Sequence, residues 1–410
     1  MKYNPFKPGS IVHPGMFAGR LDEIQGISKL LFQTKNGNSS SFLITGERGI
    51  GKSSLLLFID QIAKGKLTVE KGTIFNFLVV SISLEPNDTY KDVIYKLARE
   101  FNRELTQDEV IKTALKNVWD FITNWEVMGV KYNKIKDELG PEVMLEELGE
   151  KIISVLTNIK NTKDGIYFFI DEADKPIKNP NIGSICKYLT ERVQKKGINN
   201  FGIGIIGLPI VLDKIKENHE SAVRIITPFT LRLLTNEECG AVIKLGLDEA
   251  KRKNGSEVTI TPEARSLIAT FSEGYPHFIQ QYSYSSFDID KDNTIDDKDV
   301  VSGLTGENGA LHQLGEKYFD QMYYKEISSK NYRKILITMA LHESEYISKQ
   351  QIIKGTGLPE KMITNALNAF CRKGIIIRKK GTKGLYKISS RSFKAWIIAF
   401  NSLPEDQKEF

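Results

Sequence analysis

Gly46, Gly51, Lys52 and Ser53 stand at the spacing G-x-x-x-x-G-K-S, a pattern that can cradle a polyphosphate. Gly46, Gly49 and Gly51 let the backbone take positive φ and come close to phosphate oxygens. Backbone N–H groups along Glu47, Arg48, Gly49, Ile50 and Gly51 would converge on one anion, aided by the N-terminus of a helix opening near Lys52 and Ser54. Lys52 adds positive charge at the β- and γ-phosphates, and the Ser53 hydroxyl is placed to bind Mg²⁺. A second group of residues fits the same chemistry. Asp171 and Glu172 end an apolar run, where Asp171 would hold Mg²⁺ through water and Glu172 would polarise an attacking water as general base.

These residues need particular elements to position them. Phe42-Leu43-Ile44 predicts a short buried strand before the loop, and Leu55, Leu56, Phe58, Ile59 and Ile62 follow it at helical spacing. Ile166 to Ile170 predicts the strand that carries Asp171-Glu172, and further strands are expected at Phe75–Ile82, Phe201–Gly207 and within Ile225–Leu234. Helices are expected at 17–31 (Leu21, Ile24, Ile27, Leu30 and Leu31 on one face), 89–101 and 181–196, with 104–163 helical but broken at Gly129 and Gly140-Pro141. Strands apolar on both faces, alternating with helices, imply a parallel sheet covered on both sides. A glutamate beside the metal aspartate implies one further strand between its strand and the loop strand.

The 410 residues exceed one compact core, and 40% hydrophobic with 26% charged residues is ordinary for a soluble globular protein. No apolar run has the length of a membrane span, so no membrane partner is expected. MKYNPFKPGSIVHPG has no apolar stretch, so no secretory signal is expected. Cys186, Cys239 and Cys371 are dispersed, which suits a reducing cytoplasm and buried small residues. The net charge of +6 is unevenly spread. Residues 330–394 hold 15 Lys and Arg against Glu343, Glu345 and Glu360, a local +12 that leaves −6 elsewhere. A basic terminal module on an acidic body is the asymmetry of a nucleic-acid contact.

Residues 1–16 hold Pro5, Pro8 and Pro14 and read as an extended arm. From Thr235 the pattern turns all-helical, at 235–253, 261–273, 276–287 and 297–327. The terminal module predicts helices at 331–342, 348–355 and 359–373, then a hairpin of Ile375–Arg378 and Leu385–Ile388 joined by KKGTKG.

FAGRLDEI, GERGIGKSS, YFFIDEADK, GLP at 207–209, VRIITPFTLRLLTNEE, GYPHFIQQ and the basic module occur in this order. With them the chain resembles the P-loop ATPases at the border of the AAA+ and STAND groups. It is similar to archaeal-type ATPases and to origin-recognition initiator ATPases. The resemblance spans nearly the whole chain and implies an α/β fold: an ASCE-type parallel sheet (1–234), a helical lid (235–329) and a winged-helix domain (330–410). It implies that Phe17, Gly19 and Arg20 help to hold the adenine. Arg224 falls where initiators carry an arginine finger for a neighbouring subunit, or it is a solvated helix-end arginine. Gly274-Tyr275-Pro276 matches the G-x-P of STAND lids that packs on the base, or it is a helix C′ glycine and a helix-starting proline. The resemblance also implies ATP and Mg²⁺ as cofactors, ATP lying between sheet and lid, and association into a homo-oligomer or with a partner protein.

Two departures bear on rate. His277 and Gln280 stand where lids of this kind carry a sensor arginine, and GIGIIGLP offers no Asn, Ser or Thr as a polar sensor on the fourth strand. Slow hydrolysis by a switch follows. Asp288-x-Asp290-x-Asp292-Asn293-Thr294-Ile295-Asp296-x-x-Asp299 resembles a calcium loop but lacks Gly at position 6 and Glu at position 12, so it also reads as an inter-helix loop with Asp296 or Asp297 capping the next helix.

In the winged helix, the third helix would lie in the major groove of double-stranded DNA and present Lys361, Thr364, Asn365 and Asn368. Lys379, Lys380 and Lys383 at the wing tip would meet phosphates, while Met362, Leu367, Phe370 and Trp396 fill the core. Three functions stay open: an ATP-dependent DNA-binding switch, a STAND-type signalling or defence regulator whose winged helix is a clamp or a protein-partner module, and a nucleotide-dependent loader serving another enzyme.

Overall fold

The computed structural model describes residues 2–10, 18–68, 73–116, 140–218, 220–379, 381–382 and 384–401. Phe17, Gly129, Lys380 and Lys383 lie outside the described residues. The chain divides into two compact units, one of residues 11–232 and one of residues 1–10 with 233–410.

The first unit runs α1 (Leu21–Lys35), β1 (Ser41–Thr45), α2 (Lys52–Ala63), β2 (Leu78–Ser83), α3 (Tyr90–Gln107), α4 (Glu109–Ala114) and α5 (Pro141–Ile159). It continues with β3 (Ile166–Asp171), α6 (Ile182–Lys195), β4 (Phe201–Gly207), α7 (Ile210–Asn218) and β5 (Ile226–Thr230). All five strands are parallel, in the order β2-β3-β4-β1-β5. The strand implied between the loop strand and the Asp171 strand is β4.

Alternation along β3 sends its side chains to two cores. Phe168 packs edge-on against Phe101 of α3 and Phe201 of β4. On the other face Tyr167 and Phe169 gather with Phe42 of β1. β4 makes room for that second cluster by carrying glycine. A Cβ at Gly202 would lie 2.4 Å from the Tyr167 ring, and one at Gly204 would lie 2.5 Å from the Phe42 ring. The buried Tyr167 hydroxyl donates to the Ser40 carbonyl at 2.8 Å and pairs with Thr34 Oγ1, so its polar tip is satisfied.

Two sequence expectations change here. Leu21 is 68% exposed, and the buried stripe of α1 is Ile24, Ile27, Leu31 and Thr34. Leu21 opens the helix before its apolar face meets the sheet. β2 begins at Leu78 instead of Phe75, because Phe77 N–H donates to the Ala63 carbonyl at the end of α2 before strand pairing starts.

The second unit contains α8 (Asn236–Asn254), β6 (Thr259–Ile260), α9 (Pro262–Ser272), α10 (Pro276–Ile289), β7 (Thr294–Ile295), α11 (Asp297–Thr305) and α12 (Ala310–Leu314). Thr235 caps α8 in a reciprocal box with Glu238, and Thr261 with Pro262 starts α9. The expected helix over 297–327 is divided. Gly306, Asn308 at φ 59° and Gly309 stop α11, and wide π-helical turns at Gly315–Phe319 and Gln321–Glu326 follow α12. Gly315 sits under Trp396, whose Nε1 would be 2.2 Å from an added Cβ, so a regular helix with a side chain there would collide.

The unit ends with α13 (Lys330–Leu341), β8 (Ile347–Ser348), α14 (Lys349–Thr356), α15 (Glu360–Arg372), β9 (Ile376–Arg378), β10 (Leu385–Ile388) and α16 (Arg391–Asn401). The three strands form one sheet in the order β8-β10-β9, completing a winged helix. α15 buries Ile363, Ala366, Leu367 and Phe370, while Met362 is only half-buried. The N-terminal arm docks on this unit: Phe6 is buried against Phe287 and over Gly246, and Lys7 N–H donates to Gln280.

Candidate nucleotide site and basic face

The phosphate loop spans the turn from β1 to α2. Gly49 (φ 80°) and Gly51 (φ 94°) take the left-handed conformation that glycine favours. Gly46 does not, which corrects the expectation for it. Gly46 is required for space instead, because a Cβ there would meet Ile50 at 2.8 Å and Leu231 at 3.2 Å. Ile50 is buried and anchors the loop, while Glu47 and Arg48 are exposed. Arg20 is buried, with φ 65° just after Gly19 at φ 77°, and its Nη2 donates to the Ile50 carbonyl at 3.1 Å. Its visible role is therefore to support the loop from behind.

Lys52 folds over the loop, its Nζ donating to the Gly46 and Glu47 carbonyls at 2.9 Å each. Burial lowers its pKa below the ordinary ammonium value, and Asp174 and Asp171 oppose that shift. Ser53 and Ser54 are half-buried in the first turn of α2. The Ser53 hydroxyl donates to Asp171 Oδ2 at 3.2 Å, joining the loop to the end of β3. A hydroxyl and a carboxylate at this separation suit a small hard cation, so the residues present fit Mg²⁺. Burial raises the Asp171 pKa, countered by the Glu172 N–H and the Ser53 hydroxyl.

Glu172 has φ 55° and is held from two sides. Ser83, paired with Asp171 in the register of β2 and β3, donates to its Oε2 at 2.9 Å, and Lys175 forms an ion pair with it. Burial pushes the Glu172 pKa up, but the bonds from Lys175 and Ser83 outweigh it and the net shift is downward, toward the ionised form a general base needs. Ser83, Lys175 and Asp174 were missed by sequence reasoning. Asp174 Oδ1 accepts from Leu208 N–H at 2.9 Å, which brings a carboxylate to the end of β4, where the sequence offers no polar sensor. Its place in the run Asp171-Glu172-Ala173-Asp174 was the available hint. Arg224 is exposed on the 3₁₀ turn Glu220–Ile225, directly before β5.

In the second unit, Gly274 (φ 79°) approaches Leu234 so closely that a Cβ would lie 2.3 Å from its carbonyl oxygen. Tyr275 and Pro276 start α10. His277 donates to the Pro8 carbonyl of the arm, and burial lowers its pKa to about 4, so at neutral pH it carries no charge. The Asp288–Asp299 loop is an inter-helix connection. Asp296 and Asp299 form a capping box on α11, and Asp288 and Asp290 bond Asn4 and Lys2 of the arm. Among the described residues no His, Cys, Asp and Glu group has the form of a metal site.

On the basic module, Lys361, Asn365 and Asn368 are exposed on α15, while Thr364 is half-buried and donates back to the Glu360 carbonyl. Asn368 Oδ1 accepts from Arg378 Nη2 at 2.6 Å. Lys379 and Lys387 lie over the Tyr346 ring, 5.3 and 5.2 Å from its centroid. The winged helix is fastened to the lid. Glu273 accepts from Ser390 Oγ and Arg391 N–H at the start of α16, and Ser392 Oγ donates to the Phe271 carbonyl.

No family model matches the sequence. An uncharacterised HTH-type transcriptional regulator of Methanocaldococcus jannaschii is 26% identical over 322 residues, 77% of this chain and 73% of that protein. The ORC2 protein of Aeropyrum pernix, in ADPNP–ADP complexes, matches with TM-score 0.54 and 11% identity over 97% of this chain and 96% of that one. CDC6P of Pyrobaculum aerophilum matches with TM-score 0.45 and 13% identity over 96% of each chain. The ORC2 likeness and the strand order establish the fold, a five-stranded parallel α/β sheet followed by a helical region and a C-terminal winged helix.

Proposed function

We propose that this chain is an ATP-binding, slowly hydrolysing switch that contacts double-stranded DNA through residues 330–410. The observation that carries the reading is the Ser53–Asp171 contact of 3.2 Å beside Lys52, on a sheet ordered β2-β3-β4-β1-β5. In this reading the loop amides and Lys52 bind the phosphates, Ser53 and Asp171 hold Mg²⁺, and Glu172 takes the proton of the attacking water. Mg²⁺ would supply neutralisation of charge on the phosphates. A neutral His277 gives no cation at the lid position of a sensor arginine, which supports slow turnover. Gly274, Tyr275 and Pro276 would meet the base. The HTH-type regulator relative and the +12 charge of residues 330–394 support the DNA contact.

The exposed Arg224 would act as a finger on a neighbouring subunit. Its test is specific activity against protein concentration. Activity should rise with concentration in wild type and stay flat in Arg224→Ala, and equal flat curves would remove the role.

A second reading rests on the Glu273 contacts that tie α16 to the turn before Gly274. They favour a regulator whose winged helix responds to the lid and meets a protein. DNA binding at two salt concentrations, with and without ATP, separates the two. Salt-sensitive binding supports the first, and no binding at low salt with ATP ends it.

A further inference from the structure

Asn368 on α15 and Arg378 at the end of β9 belong to different elements, ten positions apart, and the fold puts them in contact on the exposed face of the winged helix. Arg378 Nη2 donates to Asn368 Oδ1 at 2.6 Å. The Arg378 guanidinium also lies over the Tyr386 ring, 5.7 Å from its centroid, and Tyr386 is its partner in the strand register. A hydrogen bond on one side and a ring on the other hold a side chain that would otherwise sample many rotamers.

We propose that Arg378 and Asn368 form one guanine-reading unit. The inference rests on the DNA contact proposed above and specifies it. Arginine has only donors, so the Asn368 atom facing it must be the oxygen. With that oxygen engaged by Arg378, the exposed Asn368 still has an NH₂ group that can donate. Arg378 presents its remaining N–H groups. The pair therefore offers mostly donors.

In the major groove, guanine shows two adjacent acceptors, N7 and O6, whereas adenine shows an acceptor and a donor. A donor-rich array matches guanine better and leaves the N6 amino group of adenine facing a donor. A free asparagine could read adenine, but one bonded through its oxygen to arginine is suited to guanine. Arg372 and Lys379 line the same groove beside Asn368 and Arg378 and would add phosphate contacts without sequence information.

The test uses the full chain with ATP and a random duplex library at low salt. Wild type should enrich sequences with guanine at one position, preferred by roughly 5- to 150-fold over the other bases. Replacing that guanine with 7-deazaguanine keeps base pairing and removes N7, and it should lower wild-type affinity. Arg378→Ala removes the guanidinium, so it should lose both the guanine preference and the 7-deaza effect. Asn368→Ala, which frees the guanidinium, should weaken the preference less. Binding without guanine preference, or a preference that survives Arg378→Ala, would overturn this inference and leave the DNA contact standing. No binding by wild type would overturn both.

Discussion

The phosphate-loop end of the sheet and the terminal basic module both gather charged side chains, and they treat that charge in opposite ways. At the loop, Lys52, Asp171 and Glu172 each meet specific neighbours while Glu47 and Arg48 stay exposed: Lys52 meets two loop carbonyls, Asp171 meets Ser53, and Glu172 meets Ser83 and Lys175. On the module, Lys379 lies exposed over the Tyr346 ring and Arg378 over Tyr386, with Arg378 also bonded to Asn368 and the half-buried Lys387 over Tyr346 paired to Glu345. The first arrangement suits chemistry, where charges must meet a few atoms at set distances. The second suits a contact surface, where the partner is large and the sum of charges matters. Substitutions should therefore act all-or-none at the loop and by increments on the module.

The largest effect is expected from Lys52→Ala. It removes the loop cation that lies over Gly46 and Glu47, so nucleotide binding and turnover should both be lost in a folded protein. Equal nucleotide affinity by calorimetry would break the phosphate-loop assignment. Next is Glu172→Gln, which keeps the shape and removes the base. Nucleotide affinity should hold while turnover falls by roughly 10²–10⁴. Wild-type turnover in this variant would assign the proton transfer elsewhere, and Asp174 would be the next carboxylate to test.

The contrast also explains what was legible in sequence. The loop, the Asp171-Glu172 pair and the strand between them are written in contiguous runs, because a phosphate-binding turn needs set residue types at set spacing. Contacts between distant segments have no such local trace. Nothing around Trp396 announces that it stands over Gly315 and disrupts a helix pattern some 80 residues earlier. The same holds for Glu273 at the start of α16, for Arg378 on Asn368, and for the arm that takes Asp288 and Asp290 from a calcium-like loop. Even Gly46 fits its pattern while serving as space and not as a positive-φ hinge.

His277 is a third way of handling charge, which is to exclude it. Among the described residues its Nε2 meets no hydrogen-bond partner, and burial lowers its pKa to about 4 from the ordinary 6.5. The unfolded chain takes up a proton near pH 6.5, and the folded chain resists it until pH is near 4. Stability from this residue is thus present above pH 6.5 and lost as pH falls toward 4. The loss should be about 2–3 kcal/mol. Urea unfolding of wild type and His277→Gln at pH 7 and pH 4.5 measures it. Wild type should lose more stability than the variant over that interval, and parallel losses would show that His277 is not held neutral.

The smallest effect belongs to the module. Lys379 is exposed and rests over Tyr346, so Lys379→Ala removes one cation without opening the core. If that cation meets a phosphate, its loss removes one released counterion. The slope of log affinity against log salt should then fall by roughly 0.9, on any duplex sequence. At a single low salt concentration the change would be modest, which is why the slope is the quantity to measure. Adding Lys380→Ala and Lys383→Ala should flatten it further in like steps. A clamp gives a different result. If these lysines hold the module against the acidic remainder of the chain, the triple substitution would raise basal turnover and leave the slope unchanged. The two measurements on one variant set thus decide whether the outward-facing charge meets DNA or the protein itself.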